Sequence, residues 1–248
     1  MLAVLLGPSA EAMADGARPR FGHLGVEEGL ASNWVLALLR DQRGFLWVGT
    51  QDGLYRFDGG KFVAYRHSPT DPHSLPSPVA GVLFEDSRGR LWVGSRWASQ
   101  GMALYDRDRD RFERLPVAGA HDAGQALPAR PAGLSDARVN AITEAPGGRL
   151  WVATARGVDL VDYDRGTFAH HPLEENHGKP PRLATALLAD RGGTVWVGTT
   201  EGLYRLDPDR KRCRPWPGFA DGHAKALDGQ RIEALLEDES GHLWVATL

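Results

Sequence analysis

Leu46-Trp47-Val48-Gly49-Thr50 returns four more times along this chain of 248 residues. The other copies are Leu91-Trp92-Val93-Gly94-Ser95, Leu150-Trp151-Val152-Ala153-Thr154, Val195-Trp196-Val197-Gly198-Thr199 and Leu243-Trp244-Val245-Ala246-Thr247. From one Trp to the next the steps are 45, 59, 45 and 48 residues, the period of four-stranded blades rather than of helical hairpins. Within each copy the Trp and the small residue share one face, while the aliphatic residue, Val and Thr or Ser share the other, so both faces are largely apolar. Only a sheet covered on both sides suits that pattern, and stacked blades supply it. The predicted fold is all-β: a β-propeller of ~45-residue, four-stranded antiparallel blades.

The rest of the repeat agrees. A Gly stands three residues before each Trp, at Gly44, Gly89, Gly148, Gly193 and Gly241, and an Asp stands six before it in four copies. Asp41-Gln42-Arg43-Gly44 and its counterparts fit hairpin turns in which the carboxylate accepts backbone N–H groups and Gly takes a positive φ. The third copy turns on Ala145-Pro146-Gly147-Gly148 instead. These Asp residues are read as structural. Apolar runs such as Val35–Leu39 precede the turns as inner strands. Gly53-Leu54-Tyr55-Arg56-Phe57-Asp58 and its counterparts at Gly157 and Gly202 follow as third strands, and ragged fourth strands such as Lys61–Tyr65 close each unit.

The expected organisation is a signal-peptide remnant at 1–14, with a small-x-small cleavage site at Ala12-Met13-Ala14, and a leader at 15–30 containing a candidate ring-closing strand. Blades one to four follow at 31–76, 77–134, 135–181 and 182–229, with an incomplete fifth at 230–248. That is an incomplete ring of about four and a half blades, which would expose strand edges and apolar faces, so the chain reads as a fragment of a longer protein.

Composition is that of an ordinary globular chain, 42% hydrophobic and 25% charged, with a net charge of −3. It offers no basic stripe for nucleic acid. The lone Cys213 excludes an intrachain disulfide. No stretch approaches the ~20 apolar residues of a membrane-spanning helix. No nucleophile elbow, Walker loop or Gly-rich dinucleotide turn occurs, and no catalytic residue, cofactor or metal is expected. His67, His73, His121, His170, His171, His177 and His223 follow no metal-ligand spacing and read as loop and outer-strand histidines. Asp106-Arg107-Asp108-Arg109-Asp110-Arg111 begins like a calcium loop but lacks its Gly and its bidentate acid, and reads as a charged hairpin tip.

The order Phe21, Leu24, Glu28-Gly29-Leu30, Asn33, Val35, Asp41, Gly44-Phe45-Leu46-Trp47-Val48-Gly49-Thr50, Gly53-Leu54-Tyr55-Arg56-Phe57-Asp58 strongly resembles the two-component regulator propeller repeat. Later copies match it through most of residues 20–248. The resemblance implies a periplasmic sensor of a membrane-bound bacterial signalling protein, followed by a β-sandwich, a membrane helix and a cytoplasmic histidine kinase or GGDEF-type diguanylate cyclase. The partners it implies are those downstream domains, and a dimer of the full-length sensor is a candidate.

A ligand is expected on the rim that carries the 2–3 loops and the 4–1 crossings. Blade two is longer there twice, at Arg96-Trp97-Ala98-Ser99-Gln100 and in the crossing from Pro116 to Gly133. The five repeat Trp residues are assigned to packing between blades. The remaining three, Trp34, Trp97 and Trp216, flank rim connections and are candidates to stack on a small-molecule or glycan ligand, with the Arg96 fork placed to hold an acid group. Lids over the core are the plainer account of such aromatic residues. Two further readings stand beside the sensor: a streptogramin-lyase-like propeller enzyme, which a convergent His/Glu cluster would mark, and a protein-binding scaffold.

Overall fold

The computed structural model describes residues 2–5, 21–97, 101–118, 133–175, 183–206, 212–216 and 227–248. Four antiparallel sheets of four strands and two of two strands account for nearly all of its regular structure. Blade one comprises Val35–Arg40, Leu46–Thr50, Gly53–Phe57 and Phe62–Tyr65, and blade two Val82–Glu85, Leu91–Gly94, Met102–Asp106 and Arg111–Arg114. Blade three comprises Val139–Ala145, Arg149–Thr154, Gly157–Asp162 and Thr167–His171, and blade four Ala184–Ala189, Val195–Thr199, Gly202–Leu206 and Cys213–Pro215. Blade five has Ile232–Glu237 and Leu243–Thr247. In every four-stranded blade the strands pair in chain order, so the Trp strand lies second from the inside.

The turns explain why these hairpins close where they do. Gly44, at φ 90°, occupies the left-handed position, while Asp41 Oδ1 accepts the Arg43 and Phe45 N–H groups at 3.0 and 2.9 Å. On the inner strands of blades one, three, four and five the pairing slips at one place, between Val35 and Ala37 and at its equivalents. The extra residue adds the local twist that turns a blade as it leaves the centre.

The Trp face of each blade points to the next blade. Trp47 packs with Leu91, Val93, Ala103 and Tyr105 of blade two, and Trp92 with Val139, Ile142, Leu150 and Val161 of blade three. Trp151 packs with Ala184, Val195, Tyr204 and Cys213 of blade four. These three indoles have no exposed surface. Trp196 is half-buried, and Trp244 departs from the packing assigned to the repeat Trp by being 62% exposed. The reason is direction: its face is the outer one of blade five, and no sheet among the described residues covers it.

The segment Phe21–Leu24, a candidate ring-closing strand by sequence, pairs with Leu2–Leu5, Leu2 opposite Leu24. The cleavage site at Ala12–Ala14 lies outside the described residues. Among those residues no helix is long and apolar enough to cross a membrane.

Candidate functional site

The blade-two corner is built from the second strand outward. Leu91–Gly94 ends at Ser95, whose buried hydroxyl accepts the Trp97 N–H at 3.2 Å and so turns the chain over the rim. Trp97 is 62% exposed, yet its ring is not adrift: a Cβ added to Gly81 would meet its Cζ3 at 3.4 Å. Gly81 sits at the head of the innermost strand of blade two, where the other blades carry Leu36, Asn140, Thr185 and Glu233. The missing side chain makes room for the indole, which therefore leans toward the centre of the array. Arg96 beside it is partly exposed, and its guanidinium forms no ion pair with another described residue.

The long crossing emerges close by. Leu134 N–H donates to Pro116 O at 2.9 Å and Ala118 N–H to Leu134 O at 2.8 Å, pinning the two ends of the insertion together. A Cβ on Gly101, where the 2–3 connection re-enters the sheet, would lie 2.9 Å from Val117 and 3.4 Å from Leu134. Both additions to blade two thus leave from one corner. Ala98, Ser99 and Gln100 and most of the crossing lie outside the described residues.

Trp34 immediately precedes the inner strand of blade one and is 64% exposed. No ring contact or hydrogen bond joins it to Trp97, but the two stand on adjacent blades near the heads of their innermost strands. Trp216 is placed differently. It is half-buried and meets Trp196 edge-to-face at 5.4 Å, in a cleft of about 600 Å³ between blades four and five lined by Leu203, Leu227, Leu243 and Val245. That contact sets Trp216 apart from the blade-two corner.

Among the described residues the histidines do not converge. His67 Nδ1 pairs with Leu75 O at 2.7 Å, His170 Nδ1 with the buried Asp159 at 2.8 Å, and His171 lies against Trp151 at 5.3 Å. His121, His177 and His223 lie outside the described residues. Among the described residues no group of three or more His, Cys, Asp or Glu is placed to hold a metal. Asp106 Oδ1 accepts the Asp108 and Arg109 N–H groups at 3.1 and 3.2 Å, which makes the calcium-like stretch a hairpin tip.

Sequence reading missed the second task of the turn Asp. Asp41 Oδ2 accepts the Trp47 Nε1–H at 2.8 Å and pairs with Arg107 of blade two at 2.8 Å. Burial pushes its carboxyl up, but the hydrogen bonds from Trp47 and Arg107 outweigh that and hold it below the ordinary 3.8. The constant six-residue spacing from Asp to Trp was the available signal. Sequence reading also passed over Gly81, whose bareness shows its meaning only once Trp97 is seen above it.

The stacked, Trp-anchored blades define a β-propeller. Residues 29–52, 74–97, 133–156 and 226–248 match the two component regulator propeller family. The copy around Trp196 is not among the matched segments. Over 48 residues, 19% of this chain, it is 46% identical to histidine kinase P4 of Formosa agariphila, of which the match covers 4%. Its fold is similar to PorZ, a surface component of the type-IX secretion system of Porphyromonas gingivalis, with a TM-score of 0.63 and 19% identity. That likeness covers 94% of this chain and 34% of PorZ. It is also similar to the extracellular domain of a hybrid two component system of B. thetaiotaomicron, with a TM-score of 0.58 and 20% identity over 91% of this chain and 34% of that one. A streptogramin B lyase shares the fold at a TM-score of 0.60 and 14% identity, over 92% of this chain and 66% of the lyase. The chain thus spans about a third of the first two structures and a small fraction of the kinase.

Proposed function

We propose that this propeller is the extracytoplasmic, periplasmic sensing region of a membrane-bound bacterial signalling protein, controlling a histidine kinase or diguanylate cyclase in the same polypeptide. The repeats and the likeness to an extracellular domain of a hybrid two component system support that reading. In it the chain binds rather than transforms its ligand, a small molecule or glycan. A change in affinity between two arrangements of the sensor, alone or as a dimer, biases the output.

The contact is assigned to the blade-two corner, and one observation carries it: an exposed indole seated over Gly81 beside Arg96, next to the pinned base of the long crossing. A flat aromatic face and a planar cationic fork suit a ring-bearing ligand with an acid group. Trp97→Ala and Arg96→Ala in the full-length protein test this. Loss of ligand-dependent signalling with an unchanged circular dichroism spectrum is expected; an unchanged response in both variants rejects the corner.

A further inference from the structure

Blade three carries a buried acid where the other blades carry none. The third-strand residue paired with the Val of the motif is Tyr55 in blade one, Ala103 in blade two and Tyr204 in blade four, but Asp159 in blade three. Asp159 is 1% exposed. A carboxylate so placed costs stability unless its oxygens are paired, and both are. Oδ1 accepts the His170 Nδ1–H at 2.8 Å across the strand pair, and Oδ2 accepts the Ser135 backbone N–H at 2.7 Å. The Ser135 hydroxyl lies 2.9 Å from that of Thr154, tying the same residue to the motif strand.

Holding the end of a crossing is a task that blade two also performs: Arg114 of its fourth strand donates to the carbonyls of Asp71, Ser74 and Leu75 at 3.0, 3.3 and 3.1 Å. What is particular to Asp159 is where its crossing leads. Ser135 stands at the end of the long one, in the 59-residue step from Trp92 to Trp151. Next to it, Leu134 N–H donates to Pro116 O and Ala118 N–H to Leu134 O, at 2.9 and 2.8 Å. Val117 and Leu134 then close over Gly101, at φ 74°, where an added Cβ would stand 2.9 and 3.4 Å from them. Gly101 is the far end of the connection that carries Arg96 and Trp97. Its near end is Ser95, whose carbonyl accepts the Val139 N–H at 2.9 Å and whose hydroxyl accepts the Trp97 N–H at 3.2 Å. Both ends of the connection are thus held by contacts that lead to blade three.

We propose that Asp159, held in place by His170, is a positioning residue for the blade-two corner. It fixes the end of the crossing and, through Leu134 and Val117, the far end of the connection that presents Trp97 and Arg96. This rests on the assignment of ligand contact to that corner. A carboxylate suits the task, because a hydrogen bond to an ionised acceptor is about twice as strong as a neutral one. Removing it leaves the side chains of the corner in place and alters how firmly Trp97 is held, which is what a supporting residue contributes to a site.

Fluorine NMR of the intact 248-residue chain labelled with fluorotryptophan tests this, the Trp97 signal being assigned by its loss in Trp97→Phe. Asp159→Asn is the main variant, since its amide offers an oxygen to one of the two donors and turns an NH2 toward the other. The Trp97 signal is expected to shift or split while those of Trp47 and Trp196 stay. The Ala118 and Leu134 amides should exchange about tenfold faster relative to those of Leu46–Thr50, the effect of losing one hydrogen bond to a charged group. His170→Ala leaves the carboxylate in place without its support. It should move the Trp97 signal the same way by less, and it serves as the test if Asp159→Asn does not fold. An acid that merely stabilised the fold would speed exchange throughout the chain and leave the Trp97 signal unmoved, and that result in a folded variant overturns the proposal. The two readings fail separately. An unmoved Trp97 signal rejects the positioning role whatever the corner does, whereas a moved signal beside unchanged signalling in Trp97→Ala and Arg96→Ala rejects the corner.

Discussion

Trp47 donates its indole N–H to the carboxylate of Asp41, six residues earlier, at 2.8 Å, and both groups are buried. The same bond joins Trp92 to Asp86, Trp196 to Asp190 and Trp244 to Asp238, at 3.0, 2.8 and 2.9 Å. One carboxylate oxygen thus shapes the hairpin turn while the other holds the ring that fills the next seam, coupling local turn chemistry to packing between blades.

Removing that carboxylate should matter in proportion to its burial. Asp86→Ala leaves the Trp92 N–H, two backbone N–H groups and Arg90 without their acceptor, in a place with 1% exposure. A loss of about 3 kcal/mol is expected. Urea melts of Asp86→Ala and Asp238→Ala should separate clearly, with the exposed second site much the milder.

The repeat Trp residues should not be equivalent. Trp151→Ala empties a fully buried site and is expected to cost about 3–5 kcal/mol, whereas Trp244→Ala, at a 62% exposed ring, should be near neutral in this chain. Trp→Phe refines the comparison. Trp92→Phe deprives Asp86 of a donor, but Trp151→Phe removes an N–H that has no partner, so the first should cost about 1 kcal/mol more than its change in packing alone. Equal polar costs in paired melts would contradict the orphaned indole.

Supplying the missing acid should help. Ala145→Asp places a carboxylate at the position that carries Asp41 and Asp86 in other blades, within reach of the Trp151 N–H, and is expected to stabilise by about 1 kcal/mol. Thermal melts check the sign. The gain should vanish in the Trp151→Phe background.

Acid should weaken the fold through these carboxylates. Asp41 and Asp238 are held below 3.8, the latter at about 2, chiefly by the Trp244 N–H and then by the His242 backbone. A folded value below the unfolded one means that the unfolded chain binds more protons. The stability they contribute is therefore present above about pH 4 and lost as pH falls toward 2. Carboxyl titrations by NMR should place Asp238 near 2, and Trp244→Phe should move it up toward 3.8.

The small residue of the motif should tolerate a methyl group unevenly. A Cβ on Gly49 would stand 2.3 Å from the backbone oxygen of Ala80 in the next blade, while one on Gly94 would meet the Val139 side chain at 2.9 Å. Gly49→Ala is expected to destabilise by about 2–3 kcal/mol and Gly94→Ala by less, since a side chain can shift where a backbone strand cannot. Denaturant midpoints for the two variants decide it.

The Trp-Val-small-Thr period, the Asp and Gly of each turn and the two apolar faces of each Trp strand sufficed to establish the blades, because each depends on contacts within a few residues or on a repeated spacing. The same chain order could not tell that Trp244 is exposed while Trp92 is sealed, because the motif is identical and only the neighbouring sheet differs. Nor could it separate Trp97, propped over Gly81, from Trp216, set edge-to-face against Trp196; both are single aromatic residues beside a connection. The hydrogen bond from the Gln42 N–H to Glu85 of the next blade spans more than forty residues. Such pairings arise only when one blade is laid on the next, because a hydrogen bond requires two atoms within about 3 Å and chain order does not set that distance.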